Sequence, residues 1–222
     1  MHKINFYFNY CNYLKINFLP AYIFMPFHTT IVATPECKAG LWHIQENISE
    51  LLEQLPYAET LPQRLPQKQQ QSLSAKVLAC QLAQALGFRH VQISKNHYDA
   101  PFWVGVPQGH LSLSHTQHWA AAIVHKQQRV GIDIELLNPK IFKIKERVFH
   151  PTELEWLGND LQKLTLAWCA KEALYKYNGE RGVDFKNDLG IHTENGLWIG
   201  NIRQRHLPLH TYIFEDLALV YC

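Results

Sequence analysis

Two short stretches carry residues that can do chemistry together. In residues 168–177, Trp168, Glu172 and Lys176 recur every four positions. On a helix that spacing puts a carboxylate and an amine one turn apart on the same face. The stretch contains no Gly, Pro or β-branched residue and is rich in Ala, Leu, Glu and Lys, which predicts a helix. Leu166, Ala170, Ala173, Leu174 and Tyr177 form its apolar side. Residues 131–135 alternate as a strand does, with Asp133 and Glu135 on one face and Ile132 and Ile134 on the other. Two carboxylates this close repel, and a nearby cation relieves the repulsion. If Glu172 approaches the same face, three hard oxygen donors converge, a set suited to magnesium with phosphates and water completing its shell. Each motif also has a plainer reading, as a solvated i, i+4 pair or as the wet face of a sheet.

The elements that must position these residues are partly legible. Residues 160–177 predict one long helix and 151–157 a short one. Residues 119–125 and 129–136 predict a hairpin around 126–128. Residues 111–114 predict a strand ending in Ser114-His115. Upstream, 41–44 predicts a strand and 91–95 another. Asn47 followed by Glu50 predicts a capped helix start. Pro56, Pro62 and Pro66 predict a loop, and 72–86 a helix stopped by Gly87. Residues 99–109 read as a Pro- and Gly-punctuated loop. Strands are expected near 188–192, 196–202, 210–214 and 218–221. Residues 139–149 interleave Lys140, Lys143, Lys145 and Arg147 with Ile141, Phe142 and Ile144.

Bulk composition narrows the function classes. A chain of 222 residues holds one or two small domains, and 47% hydrophobic residues supply an ordinary core. A formal charge of +2 does not point to general nucleic-acid binding. The five cysteines include no C-x-x-C pair, which fits a reducing, cytoplasmic setting rather than a disulfide framework or structural zinc. Residues 1–24 are rich in Asn, Tyr, Phe and Ile but contain no uninterrupted membrane-length apolar run and no signal-peptide pattern. They read as an upstream extension, or else as an edge strand or partner-binding arm.

Ser114-His115, then Gly131-Ile132-Asp133-Ile134-Glu135, then Trp168 through Lys176 resemble, in order and separation, the three signature blocks of the phosphopantetheinyl transferases of the larger, surfactin-synthetase type. Phe149-His150-Pro151-Thr152-Glu153 resembles an element the family places between the last two blocks. The resemblance spans 25–222 and is densest over 111–182. It implies an α+β fold of two similar α/β subdomains, a pseudo-twofold monomer with the active site in the cleft between them. The expected boundaries are 25–127 and 128–222, after the extension 1–24. The implied reaction is magnesium-dependent transfer of phosphopantetheine from coenzyme A to a serine of an apo acyl or peptidyl carrier protein, releasing adenosine 3′,5′-bisphosphate.

The same resemblance assigns roles. Asp133, Glu135 and Glu172 hold the metal, and Glu172, with Glu153 as its competitor, is the general base. Lys176 stabilises or protonates the leaving phosphate. Ser114 and His115 contact the 3′-phosphate of coenzyme A, with Lys76 and Lys171 as further cofactor contacts and Arg64 and Lys68 as weaker ones. One departure stands out: where the family has Gly-Lys-Pro or Gly-Arg-Pro, this chain has Asp99-Ala100-Pro101, and Lys95 is the nearest replacement for the missing base. The basic stretch 139–149 is the expected carrier-binding surface. Neither nucleic acid nor a membrane is an expected partner. Two other readings use the same carboxylates or fold: a magnesium-dependent phosphodiester hydrolase, and a non-catalytic coenzyme A-binding module.

Overall fold

The computed structural model describes residues 28–60, 63 and 65–222. The extension 1–24 and Arg64 lie outside them. In chain order the elements are β1 (His28–Ala33), β2 (Cys37–His43), α1 (Ile48–Gln54), α2 (Pro66–Ala85), β3 (Gln92–Lys95), β4 (Pro101–Val104), β5 (His110–Thr116) and β6 (Trp119–His125). There follow β7 (Ile132–Leu136), α3 (Ile141–Val148), α4 (Pro151–Leu157), α5 (Leu161–Asn178), β8 (Leu189–Glu194), β9 (Leu197–Ile202), β10 (Arg205–Phe214) and β11 (Leu217–Tyr221). The fold is α+β. One antiparallel sheet runs β1-β2-β6-β5 and a second runs β7-β11-β10-β9-β8, with β3-β4 as a separate hairpin.

Period-two alternation sorts the strand residues into layers. Ala120, Ala122 and Val124 of β6 join Trp42 and the helix α2 residues Leu73, Val77 and Leu78 in one core. Ala121 and Ile123, one residue out of phase, face Ile132, Ile134, Leu217 and Leu219 of the other sheet in a second core. Ala218 and Val220 point the opposite way, into a third core with Ala170, Ala173 and Leu174 of α5. The two sheets therefore pack face to face, with α2 covering one and α5 the other. On β7 this phase turns Ile132 and Ile134 to the sheet interface and Asp133 and Glu135 toward α5.

Several expectations change. β7 does not form a hairpin with β6. β6 pairs with β5 and β2, while β7 pairs with β11. A tight turn at Gln117 (φ 39°) and His118 joins β5 to β6 and leaves 126–130 free to cross between sheets. Helix α2 begins six residues before the expected start because Pro66 fits the first helical turn and the Gln run that follows is helix-favouring. The stretch read as a loop over 99–109 contains β4, and β1, a β-branched run, had no counterpart in the sequence reading.

Candidate active site

Close backbone approach brings the two chemical stretches together. A Cβ built on Gly131 would lie 2.0 Å from the carbonyl oxygen of Ala173, so only glycine lets α5 rest on the start of β7. Helix α5 is fixed at both ends: the Asp160 side chain accepts from the Lys163 N–H at 3.1 Å, and Gly179 closes the helix in the left-handed conformation (φ 70°).

Asp133 is buried and sits at the centre of the site. Its Oδ1 accepts from Lys176 Nζ at 2.7 Å and from Ser114 Oγ at 2.8 Å. Ser114 Oγ accepts from the Ile134 N–H at 3.2 Å, and Ser112 Oγ accepts from the Ile132 N–H at 3.1 Å. These are the N–H groups on the edge of β7 away from β11, so two hydroxyls of β5 stand in for a missing strand partner. Asp133 Oδ2 is buried without a hydrogen-bond partner, and the buried Cys169 thiol lies beside this carboxylate. A buried carboxylate oxygen left without a donor costs free energy unless a ligand or cation takes it.

Glu135 and Glu172 face the same centre. Burial, then the charge of Asp133, raises the Glu172 carboxyl to about 7. Burial and then Asp133 also raise Glu135, against the pull of its contact with Trp168 Nε1 at 3.4 Å and of Lys176. These two shifts mark Glu135 and Glu172 as crowded by burial and by the charge of Asp133. Among the described residues no group of three or more His, Cys, Asp and Glu side chains is placed to hold a metal ion as they stand. What leaves room for magnesium, which keeps several waters and takes few protein ligands, is the unpartnered Asp133 Oδ2.

Lys176 Nζ donates to Ile132 O at 3.0 Å as well as to Asp133, which leaves one of its three protons for the cleft. His115 lies near. Burial first, then the charges of Lys68 and Lys176, lowers its imidazole to about 4, and its Nδ1 is buried without a partner. The start of α2 borders this spot, for Gln71 Nε2 donates to Gln117 O at 2.7 Å, two residues beyond His115.

Other residues assigned roles from sequence are placed differently. Lys171 is fully buried. Its three protons go to Glu153 Oε2 at 2.6 Å, Phe185 O at 2.7 Å and Val148 O at 3.1 Å. Glu153 is equally committed, its Oε2 also accepting from the His150 N–H at 2.7 Å and its Oε1 from the Ile191 N–H at 2.9 Å. The structure thus pairs these two inside the protein, with no proton of Lys171 left for a phosphate and neither oxygen of Glu153 free to act as a base. Lys76 is held by Glu59 at 2.6 Å. Lys68 is the basic residue of α2 whose charge reaches His115 and Glu135. Ser114 Oγ gives its proton to Asp133 Oδ1 and accepts the Ile134 N–H. Lys95 is exposed and stands opposite Pro101 in the β3–β4 hairpin.

Comparison with known proteins bears on this geometry. Residues 129–222 match the model of the 4′-phosphopantetheinyl transferase superfamily. The 4′-phosphopantetheinyl transferase Sfp of Bacillus subtilis (strain 168) is 30% identical over 133 residues, which cover 56% of this chain and 58% of that protein. Over this part the chain is similar to the 4′-phosphopantetheinyl transferases. A second member, 4′-phosphopantetheinyl transferase ffp of Bacillus subtilis, is 26% identical over 133 residues with the same coverage. The chain thus matches just under three-fifths of the length of each curated relative. The superfamily match contains Asp133, Glu135, Glu172 and Lys176, and also the buried Lys171–Glu153 pair. Ser114, His115 and Lys68 lie before it.

Proposed function

We propose that the protein transfers the phosphopantetheine group of coenzyme A to a serine hydroxyl of an apo acyl or peptidyl carrier protein, with adenosine 3′,5′-bisphosphate as the second product. The observation that carries this reading is Asp133. One of its oxygens is clamped by Lys176 and Ser114, and the other is buried, bare and beside two proton-hungry carboxylates.

Asp133, through Oδ2, with Glu135 and Glu172 would hold a magnesium ion. Such an ion supplies charge neutralisation to a pyrophosphate in transfer. Glu172, facing the same centre as Asp133 and Glu135, would accept the serine proton as the hydroxyl oxygen bonds to the β-phosphorus. The bond from that phosphorus to the bridging oxygen breaks, and the electron pair leaves with the adenosine bisphosphate. The free proton of Lys176 is positioned to stabilise that leaving oxygen. His115 and Lys68, whose charge reaches it, would bind the 3′-phosphate. The carrier would dock on α3, where Phe142, Lys143 and Arg147 are exposed just beyond β7. The two halves of this reading, 25–127 and 128–222, would meet along the β5–β7 seam.

Asp133→Asn tests the assignment because the amide keeps an acceptor for Lys176 and removes the charge. Transfer to an apo-carrier should fall by at least about a thousand-fold, as when a group acting on transition-state charge is lost, with the far-UV spectrum unchanged. Wild-type transfer by this variant would remove Asp133 from the chemistry.

A further inference from the structure

The β5–β7 seam has two ends. The carboxylates lie at one. His110, at the start of β5, is four residues from Ser114, or about 13 Å along an extended strand. At that other end a cleft of about 540 Å³ opens between the two sheets. Its walls carry Arg129, Arg205, His110, His125 and His210, and no Asp or Glu side chain lines it. We propose that this cleft is a second binding site, for a small phosphorylated anion, separate from the carboxylate centre.

The charged side chains that line the cleft are all basic. Glu36 pairs with Lys126 at 3.4 Å and Glu180 with Arg203 at 2.8 Å. Neither Arg129 nor Arg205 has a carboxylate partner among the described residues. Arg129 donates to the Asn178 carbonyl oxygen at 2.8 Å, and Arg205 makes a long contact of 3.4 Å to the Tyr177 hydroxyl. Each guanidinium keeps most of its five donors, in the planar arrangement that matches phosphate oxygens.

The histidines are set to donate. His125 Nδ1 accepts from the Gln127 and Gln128 N–H groups at 3.0 and 2.9 Å, which makes Nε2 the protonated nitrogen of the neutral ring. His210 stacks on Tyr221 at 4.6 Å and 14°, which holds the imidazole flat against the wall. Burial first, and then the charges of Arg129 and His125, lowers the His110 imidazole, which keeps it a neutral donor or acceptor beside the guanidinium groups. The volume suits a molecule of nucleotide size and is too small for a folded partner. An adjoining cavity of about 290 Å³ shares Arg129, Tyr177 and Arg205 and is lined further by the Arg203–Glu180 pair.

The probe is inorganic pyrophosphate, titrated into the full-length protein without magnesium and read by NMR of the histidine side chains. The imidazole signals of His110, His125 and His210 should move together and saturate with a midpoint below about 1 mM. His115, at the carboxylate end, reports any binding there on its own curve. Arg205→Ala, exposed, combined with His125→Ala, half-buried, should weaken the first curve about ten-fold or more and leave that of His115 in place. The proposal is overturned if the three signals do not move, if sodium chloride of equal ionic strength moves them equally, or if the double variant leaves their midpoint unchanged. Failure here would leave the transfer chemistry untouched, since no residue of this cleft takes part in it.

Discussion

Replacing Gly131 by Ala isolates the contact that assembles the site. Its backbone is not in the left-handed region, so alanine carries no conformational strain there. The whole cost is contact. The added Cβ would lie 2.0 Å from Ala173 O, 2.8 Å from Ala173 C and 3.1 Å from Tyr177 N, all of it helix backbone that no rotamer change can relieve. Restoring an ordinary carbon–oxygen separation means moving α5 away from β7 by roughly 1 Å. The Lys176–Asp133 bond at 2.7 Å spans that same gap and would stretch out of hydrogen-bond range. Overpacking of this kind costs about 1–3 kcal/mol, and a misplacement of about 1 Å lowers catalysis by about a hundred-fold. Two controls separate the effects. In Gly200→Ala the near atoms, at 2.6 and 2.8 Å, belong to the Leu174 side chain, which can turn away, so stability should fall with a smaller loss of transfer. In Gly190→Ala the nearest atom is at 3.4 Å, and both quantities should stay close to wild type. Urea unfolding followed by tryptophan fluorescence, together with carrier-loading rates at saturating coenzyme A and magnesium, measures both. A Gly131→Ala protein with wild-type stability and rate would show that the helix–strand contact does not set the geometry of the site.

Glu153→Gln should destabilise the fold by about 3–5 kcal/mol by stranding the buried Lys171 charge, and adding Lys171→Met should recover part of that loss. A Glu153→Gln protein as stable as wild type but inactive in transfer would instead restore Glu153 as the base. Magnesium should stabilise the protein more at pH 8 than at pH 5.5. With the folded Glu172 near 7, above the usual 4.5, the metal-free native state binds the extra proton, so its stability falls as pH rises from about 4.5 to 7, by up to about 3 kcal/mol. Above pH 7 the ionised carboxylates gain the cation, and equal magnesium-induced shifts in Tm at the two pH values would refute this. His115→Ala and Lys68→Ala should each raise the KM for coenzyme A more than for dephospho-coenzyme A. One charge-assisted hydrogen bond is worth roughly 1.5–3 kcal/mol, or one to two decades, whereas Lys76→Ala should not discriminate between the two substrates.

The chemistry-bearing stretches were legible in the sequence because they are local. Glu172 and Lys176 need only helical spacing, and Asp133 and Glu135 only strand alternation. Helix α4 forms where the short helix over 151–157 was expected. What escaped was set by distant partners. Lys171 is polar and one residue from Glu172, yet α5 is buried on the Lys171 side as well, where Val148, Glu153 and Phe185 come from separate segments. The choice between Lys76 and Lys68 turns on Glu59, which lies in an upstream loop. β6 and β7 are consecutive and separated by a short turn-like stretch, the pattern of a hairpin. The cross-sheet seam, with serine hydroxyls serving the edge of β7, has no local signature. Ser112 was missed for that reason. Its alternation with Ser114 across Leu113 is the one sequence feature that places both hydroxyls on the same side of β5.

The most direct measurement is intact-protein mass spectrometry of a panel of apo acyl and peptidyl carrier proteins incubated with this protein, magnesium and coenzyme A. The account predicts that at least one carrier gains the mass of a phosphopantetheine group on its serine. The gain should vanish with Asp133→Asn, whose Lys176 contact remains, and when magnesium is chelated. Hydrolysis of coenzyme A with no carrier modified, or carrier loading undiminished by Asp133→Asn, would contradict it.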